Sequence, residues 1–332
     1  MKEKLFDDIN YSKYYPGILR LDRKAIILRN GLVFSNISAF RYSVYSYFYA
    51  CIIHVMVAIA SLIKRGVCKI EDAGEQYALI HSPWTAGYYH WLTEALPRAY
   101  VLRLSFPDAV PLLPRDSHRN FEDSLKALGY KRIAYFPSGK NAVLERCLIT
   151  ECPKNFATTD PELLNQLRSA LLEKFVLTKK QSNRLVYISR SASRGRMVLN
   201  ETKVVDEIIK VGGTVVYPET LSFEEQVTLF SECSIIIGNH GAGLTNMMFM
   251  PAGGVVIELL PYRNSWFDYR PVGNSFRHQS IFWRLADVCG HKHDFLLCRH
   301  NLSRFSKTDM ASLYVDIEKL RSIIMKYQKY II

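Results

Sequence analysis

Three unbroken apolar runs constrain this chain most: residues 184–189 (RLVYIS), 234–237 (SIII) and 255–260 (VVIELL). A strand with no polar alternation needs cover on both faces, which is the setting of a parallel sheet between helices. The intervening segments are helical in pattern. Residues 200–211 carry apolar side chains at helical spacing and stop at Gly212–Gly213. Residues 222–231 open with Ser222 and Glu225, a capping box. Residues 214–217 read as a strand, 240–249 and 283–288 as helices, 295–297 as a short strand and 309–327 as a long amphipathic helix.

The first half repeats the theme. Candidate strands are 25–34, 77–81, 110–113, 132–136 and 142–150, with the first expected to join the leading sheet; helices are expected at about 89–104 and at 121–128. A polar stretch at 153–160 reads as a boundary, followed by a connecting helix at 161–180. Two domains are predicted, 1–155 and 156–332. The fold class expected is α/β: two doubly wound parallel-sheet domains facing a ligand cleft.

The net charge of +12, from 43 Lys plus Arg against 31 Asp plus Glu, suits an anionic partner or a solvated basic surface. Apolar residues at 48% exclude a disordered chain. No nucleic-acid-binding motif is visible, so nucleic acid is not expected as a partner. Seven cysteines without a CxxC pair sit mostly in apolar runs and predict a reducing compartment. The N-terminal MKEKLFDDINYSKYY lacks an apolar core, so a cytoplasmic location is expected. Val44–Ile63 complicates this: 20 residues without a formal charge read as a buried helix, an interfacial helix giving peripheral contact at the inner face of a membrane, or a span.

The strongest chemical motif is IIIGNHGAGLTN at 235–246. A buried strand ends and Gly238, Gly241 and Gly243 follow where a helix begins. Glycines admit a ligand to the backbone, and free N–H groups at a helix start attract phosphate. His240 and Asn246 add side-chain donors; a tight turn with packing glycines is the plainer alternative. The motif matches neither the dinucleotide fingerprint nor a P-loop. In SRSASRGRMVLNE (189–201), Arg190, Arg194 and Arg196 leave a strand end, where guanidinium forks suit a diphosphate.

In YYHWLTEALPR (88–98), His90 and Glu94 are one helical turn apart, a spacing that lets a carboxylate fix an imidazole for proton transfer. Pro97 predicts a kink or a first-turn position. Glu258 ends a strand, where a carboxylate either accepts ribose hydroxyls or pairs with an arginine. CGHKHDFLLCRH (289–300) matches no zinc spacing and reads as a surface loop with incidental histidines, so no metal or other cofactor is expected. The chain has no D-x-D.

These motifs, in this order over about residues 77–260, resemble glycosyltransferase family 61, the capsular polysaccharide biosynthesis proteins. The resemblance implies a GT-B fold with an N-terminal acceptor side and a C-terminal donor side. It implies inverting, metal-independent transfer from a nucleotide sugar to a hydroxyl of a glycan or lipid-linked glycan. By position, His90 and Glu94 fall in the family's N-terminal helix motif. Arg190, Arg196 and the Asn200–Glu201 pair match its basic block. His240, Gly241, Ala242, Gly243 and Asn246 match the glycine turn, and Glu258 its terminal acid. The long apolar stretch Val44–Ile63 departs from the pattern. A non-catalytic nucleotide- or carbohydrate-binding homologue is the alternative function.

Overall fold

The computed structural model describes residues 14–44, 48–71, 74–153, 159–176, 183–190, 196–261, 281–300 and 312–330, apart from the side chains of 48–54. The chain divides into two compact units, Asn10–Leu171 and Leu172–Ile332, so the division falls inside the helix Pro161–Phe175.

Among its described residues the first unit carries nine strands: β1 Ile18–Leu21, β2 Ala25–Ile27, β3 Val33–Phe34, β4 Val67–Lys69, β5 Tyr77–Leu79, β6 Val110–Leu113, β7 Ala134–Tyr135, β8 Asn141–Leu144 and β9 Cys147–Thr150. They form two sheets, ordered β1-β9-β5-β6-β7 and β3-β2-β8-β4. The first is parallel except for the antiparallel β1–β9 edge; in the second only β4–β8 is parallel. The expected strand 25–34 is in fact the hairpin β2–β3, and it belongs to the second sheet. Its turn at Gly31 needs a glycine: φ is +92°, and a Cβ would lie 2.5 Å from the His81 carbonyl oxygen. The expected strand 142–150 likewise breaks into β8 and β9, one in each sheet. Leu21, Ile27, Leu79, Leu112, Phe136 and Ile149 are among the side chains that fill the shared core.

The stretch Val44–Ile63 is not one element. Val44 is the extended residue after the helix Ile37–Ser43 and is buried against Leu28, Leu32 and Ala58. The apolar helix runs Phe48–Arg65. Among the described residues no helix is long and apolar enough to cross a membrane. A fully buried helix is also excluded, since Met56 and Ile63 are 66% and 81% exposed.

Among its described residues the second unit has six strands: β10 Arg184–Ile188, β11 Thr214–Val216, β12 Cys233–Asn239, β13 Val255–Pro261, β14 Lys292–His300 and β15 Leu313–Tyr314. Their order is β11-β10-β12-β13-β14-β15, parallel as far as β14. The apolar runs of β10, β12 and β13 lie in the middle, where both faces are covered. The helix Glu201–Lys210 connects β10 to β11, and the helix Phe223–Ser231, with the expected Ser222–Glu225 capping box, leads from β11 back to β12. The chain therefore reverses direction across the sheet between β10 and β12, which makes a crevice at their carboxyl ends. The expected surface loop 289–300 is instead the inner strand β14, and the C-terminal helix is Ile317–Lys326, capped by Asp316, shorter than the periodicity suggested.

Candidate functional site

Arg190 lies just beyond the end of β10, and Gly241 just beyond the end of β12. The two meet at the crevice. A Cβ on Gly241 would stand 2.2 Å from Arg190 Nη1, so any side chain there displaces the guanidinium. A Cβ on Gly243 would stand 2.9 Å from Ile188 Cγ2, so this glycine lets the turn pack on β10. The helix that follows, Ala242–Phe249, is 3₁₀ rather than α. Leu244 N–H donates back to Gly241, while no described residue accepts from the amides of Gly241, Ala242 and Gly243. Those amides are the unsatisfied donors of a helix start.

Arg196 is held in place by the last residue of β12 and the residue after it. Its Nη1 donates to the His240 carbonyl at 3.1 Å, and its own carbonyl accepts from Asn239 Nδ2 at 2.6 Å. Arg196 has φ of +54°, a left-handed conformation that an arginine adopts only at a cost. Burial and the nearby Arg196 charge lower the Arg190 pKa, with Glu219 opposing them. Two guanidiniums that repel each other beside open amides form a site that a dianion would relax. Arg194 lies outside the described residues.

Behind this turn sits a buried carboxylate. His240 Nδ1–H donates to Glu258 Oε1 at 2.5 Å, and His293 Nε2–H donates to Glu258 Oε2 at 2.9 Å. Glu258 is 0% exposed. Burial alone would raise its pKa, but the charges and hydrogen bonds of His240 and His293 outweigh that and hold it at about 2. The His240 ring meets the Phe282 ring at a 5.0 Å centroid distance, edge to face. Glu258 is therefore closed off from a ribose by burial and by its two imidazoles, and among the described residues no arginine pairs with it, contrary to both expectations. It orients His240.

Two other expected donor contacts are also structural. Asn200 donates from Nδ2 to the Val315 carbonyl at 2.8 Å and accepts from the Val315 N–H at 2.9 Å, which spends both ends of its amide on the backbone. Asn246 is fully buried and donates to Gln226 Oε1 at 2.9 Å. Glu201, next to Asn200, accepts from Ser189 Oγ and Tyr187 Oη. It thereby ties the helix start to the end of β10. Sequence reasoning missed Asn239 and His293. His293 fell in the stretch 289–300 read as a surface loop with incidental histidines, and only the short strand at 295–297 hinted at the sheet that carries it.

In the first unit, the helix at 88–105 contains a π-turn, Trp91–Ala95, immediately before Leu96–Ser105. Pro97 accounts for part of this. Its missing N–H leaves the Thr93 carbonyl without a helical donor, and the Thr159 hydroxyl donates to that carbonyl instead. Trp91 fixes the segment, stacked on Phe121 at 4.1 Å with Nε1–H donating to Ser124 Oγ. His90 and Glu94 meet as their spacing predicts: His90 Nδ1–H donates to Glu94 Oε1 at 2.9 Å. The Glu94 side chain is 0% exposed and that of His90 is 16% exposed. Buried Arg98 donates to the Glu94 carbonyl. Nδ1 is thus the His90 nitrogen that faces the carboxylate.

Residues 88–257 match the family model Glycosyltransferase 61. A protein O-linked-mannose beta-1,4-N-acetylglucosaminyltransferase 2 from Xenopus tropicalis is 30% identical over 105 residues, covering 30% of this chain and 18% of that protein. The Mus musculus protein of the same name is 32% identical over 84 residues, 24% of this chain and 14% of that protein. Alpha-1,3-arabinosyltransferase XAT2 from Oryza sativa subsp. japonica is 26% identical over 152 residues, 43% of this chain and 26% of that protein. The chain thus spans about a quarter or less of the length of these relatives. The matched region runs from the His90 helix into β13; it takes in the His90–Glu94 pair, His240 and the glycine turn, and ends one residue before Glu258. The chain belongs to the glycosyltransferase 61 family.

Proposed function

We propose that the protein is a glycosyltransferase that moves a sugar from a nucleotide-sugar donor to a hydroxyl of a growing cell-surface glycan, of capsular or lipopolysaccharide type. In this reading the two units form a GT-B enzyme, transfer inverts the anomeric centre, and no metal is required. The enzyme works in the cytoplasm, with peripheral contact at the membrane through the Phe48–Arg65 helix. The observation that carries the donor half is Arg190 seated against Gly241 at the reversal point of the sheet.

The diphosphate lies on the amides of Gly241, Ala242 and Gly243, with Arg190 and Arg196 beside it. As the bond from the anomeric carbon to the diphosphate oxygen breaks, negative charge grows on that oxygen. Fixed cations and backbone dipoles oppose it without reorganising. The acceptor oxygen attacks the opposite face of the carbon, forms the new bond and gives its proton to His90 Nε2. Glu94, buried behind the ring, orients His90 and stabilises the imidazolium. The full burial of Glu94 supports His90 rather than Glu94 as the base. The names of the relatives point to N-acetylhexosaminyl or pentosyl donors as first choices; a hexosyl donor fits the same site.

Titration with nucleoside diphosphates and nucleotide sugars tests the donor half. Arg190→Ala is expected to weaken nucleotide binding about tenfold or more, since a hydrogen bond to a charged group is worth about 1.5–3 kcal/mol. Unchanged affinity would remove Arg190 from the site. A protein that binds the nucleotide sugar yet never releases the nucleotide, whichever acceptor glycan is supplied, would be a binding homologue.

A further inference from the structure

The first unit contains a cavity of about 470 Å³ whose described lining includes none of the residues assigned above to the transfer reaction. Among the described residues, Arg29, Lys64 and Arg65 line it, against one carboxylate, that of Asp116. Arg29 pairs with Asp116, leaving two cations in excess. Ser117 and His118, at the start of the helix Arg119–Ala127, form another part of the wall and add the positive end of a helix. Burial and the nearby Arg98 charge hold the pKa of His81, also in the wall, at about 4, so it is neutral near pH 7.

One side of this cavity is the last part of the Phe48–Arg65 helix, and that helix presents three faces. Ala58 and Leu62, one turn apart, pack on Leu28 and Leu32. Val57, Ala60, Ser61 and Lys64 face the cavity. Met56, Ile59 and Ile63 form a stripe that is 66%, 53% and 81% exposed. At 100° per residue, the stripe borders the cavity face directly. A cationic hollow thus opens beside a strip of exposed aliphatic side chains. This combination suits an amphipathic anion: the charge enters the hollow and the chain lies along the stripe.

We propose that this cavity binds the phosphate headgroup of an anionic membrane phospholipid, with the Met56–Ile59–Ile63 stripe lying among its acyl chains. The site selects anionic over neutral bilayers. The proposal rests on the reading that this helix touches a membrane, and it adds a built headgroup site to that contact. It is independent of the donor site.

Vesicle flotation with the full chain tests it, using phosphatidylcholine alone and phosphatidylcholine with phosphatidylglycerol. The wild type is expected to float with the anionic vesicles and only weakly with the neutral ones. Lys64→Gln with Arg65→Gln is expected to cut anionic-vesicle affinity at least about tenfold, since each basic residue near an anionic surface contributes about 1 kcal/mol. Ala60→Trp keeps every charge but fills the hollow, and is expected to lose the same preference. Ile63→Glu is expected to lose binding to both vesicle types.

If Ala60→Trp floats like the wild type, the charge acts diffusely and the headgroup site is overturned. If Ile63→Glu alone has an effect, the membrane contact stands and the cavity assignment falls. If the wild type floats with neither vesicle, both fall. If inorganic phosphate raises the melting temperature while vesicles are ignored, the ligand is a soluble phosphate and the lipid assignment is wrong. Lys126→Gln, on an exposed cation away from the cavity, is expected to behave as wild type.

Discussion

Each unit holds a histidine whose Nδ1–H donates to a carboxylate with no exposed side-chain surface, yet the two pairs are built differently. His90 and Glu94 are neighbours on one helix, 2.9 Å apart. His240 and Glu258 come from the end of β12 and from β13, and are joined only because those strands pair. Glu94 has one imidazole in front of it. Glu258 has a second, His293, on its other oxygen. A carboxylate gripped from both sides and held at a pKa of about 2 takes up no proton near neutrality. It can only orient its partner. In the proposed reaction the first pair would serve proton transfer, while the second stiffens the turn at Gly241.

The largest expected effect separates the two pairs by function. His90→Ala should slow sugar transfer by about 10²–10⁴-fold, the usual contribution of a general base, while leaving nucleotide affinity unchanged. His240→Ala should do the reverse, weakening nucleotide binding first. Steady-state rates beside calorimetric titrations decide this. If His90→Ala retains transfer, the first pair has no claim to proton chemistry.

Next in size is the buried carboxylate. Glu258→Ala leaves two imidazoles without their acceptor, and chemical denaturation should show a loss of about 3–5 kcal/mol. The pH dependence has a definite sign. The folded pKa of Glu258 is depressed from 4.5 to about 2, so its contribution is complete above about pH 4.5 and is lost as pH falls towards about 2. An acid melt that matches between Glu258→Gln and wild type would contradict this.

Asn200→Ala removes hydrogen bonds to both the N–H and the C=O of Val315, and should cost about 1–2 kcal/mol of stability with nucleotide affinity intact. Loss of affinity without loss of stability would return Asn200 to the donor site. The smallest effect is expected at Gly241→Ala. Its Cβ meets the flexible end of Arg190, so folding should be nearly unchanged while nucleotide binding weakens by about 1 kcal/mol. Comparison with Arg190→Ala then shows how much the guanidinium's position matters beyond its charge.

What could be read from the sequence was local or periodic. The unbroken runs of β10, β12 and β13 announced a covered parallel sheet, Ser222 and Glu225 announced a helix start, and the four-residue spacing of His90 and Glu94 announced their contact. Each rests on interactions within one turn of helix or on the pleat of one strand, which neighbouring residues alone determine.

Tertiary structure decided the rest, because it depends on which distant segments pair. Arg190 touches Gly241 because β10 and β12 lie side by side. Glu258 turned from a ligand-facing acid into a buried anchor once β14 brought His293 to its second oxygen. Asn200 went to the backbone of Val315, and Asn246 to Gln226. The break of 25–34 and 142–150 across two sheets followed from pairing as well, since apolar residues suit either sheet equally. For the Phe48–Arg65 helix, composition said only that it is apolar. Which of its faces met the core, which closed a cationic hollow and which stayed exposed was settled by the segments that packed against it.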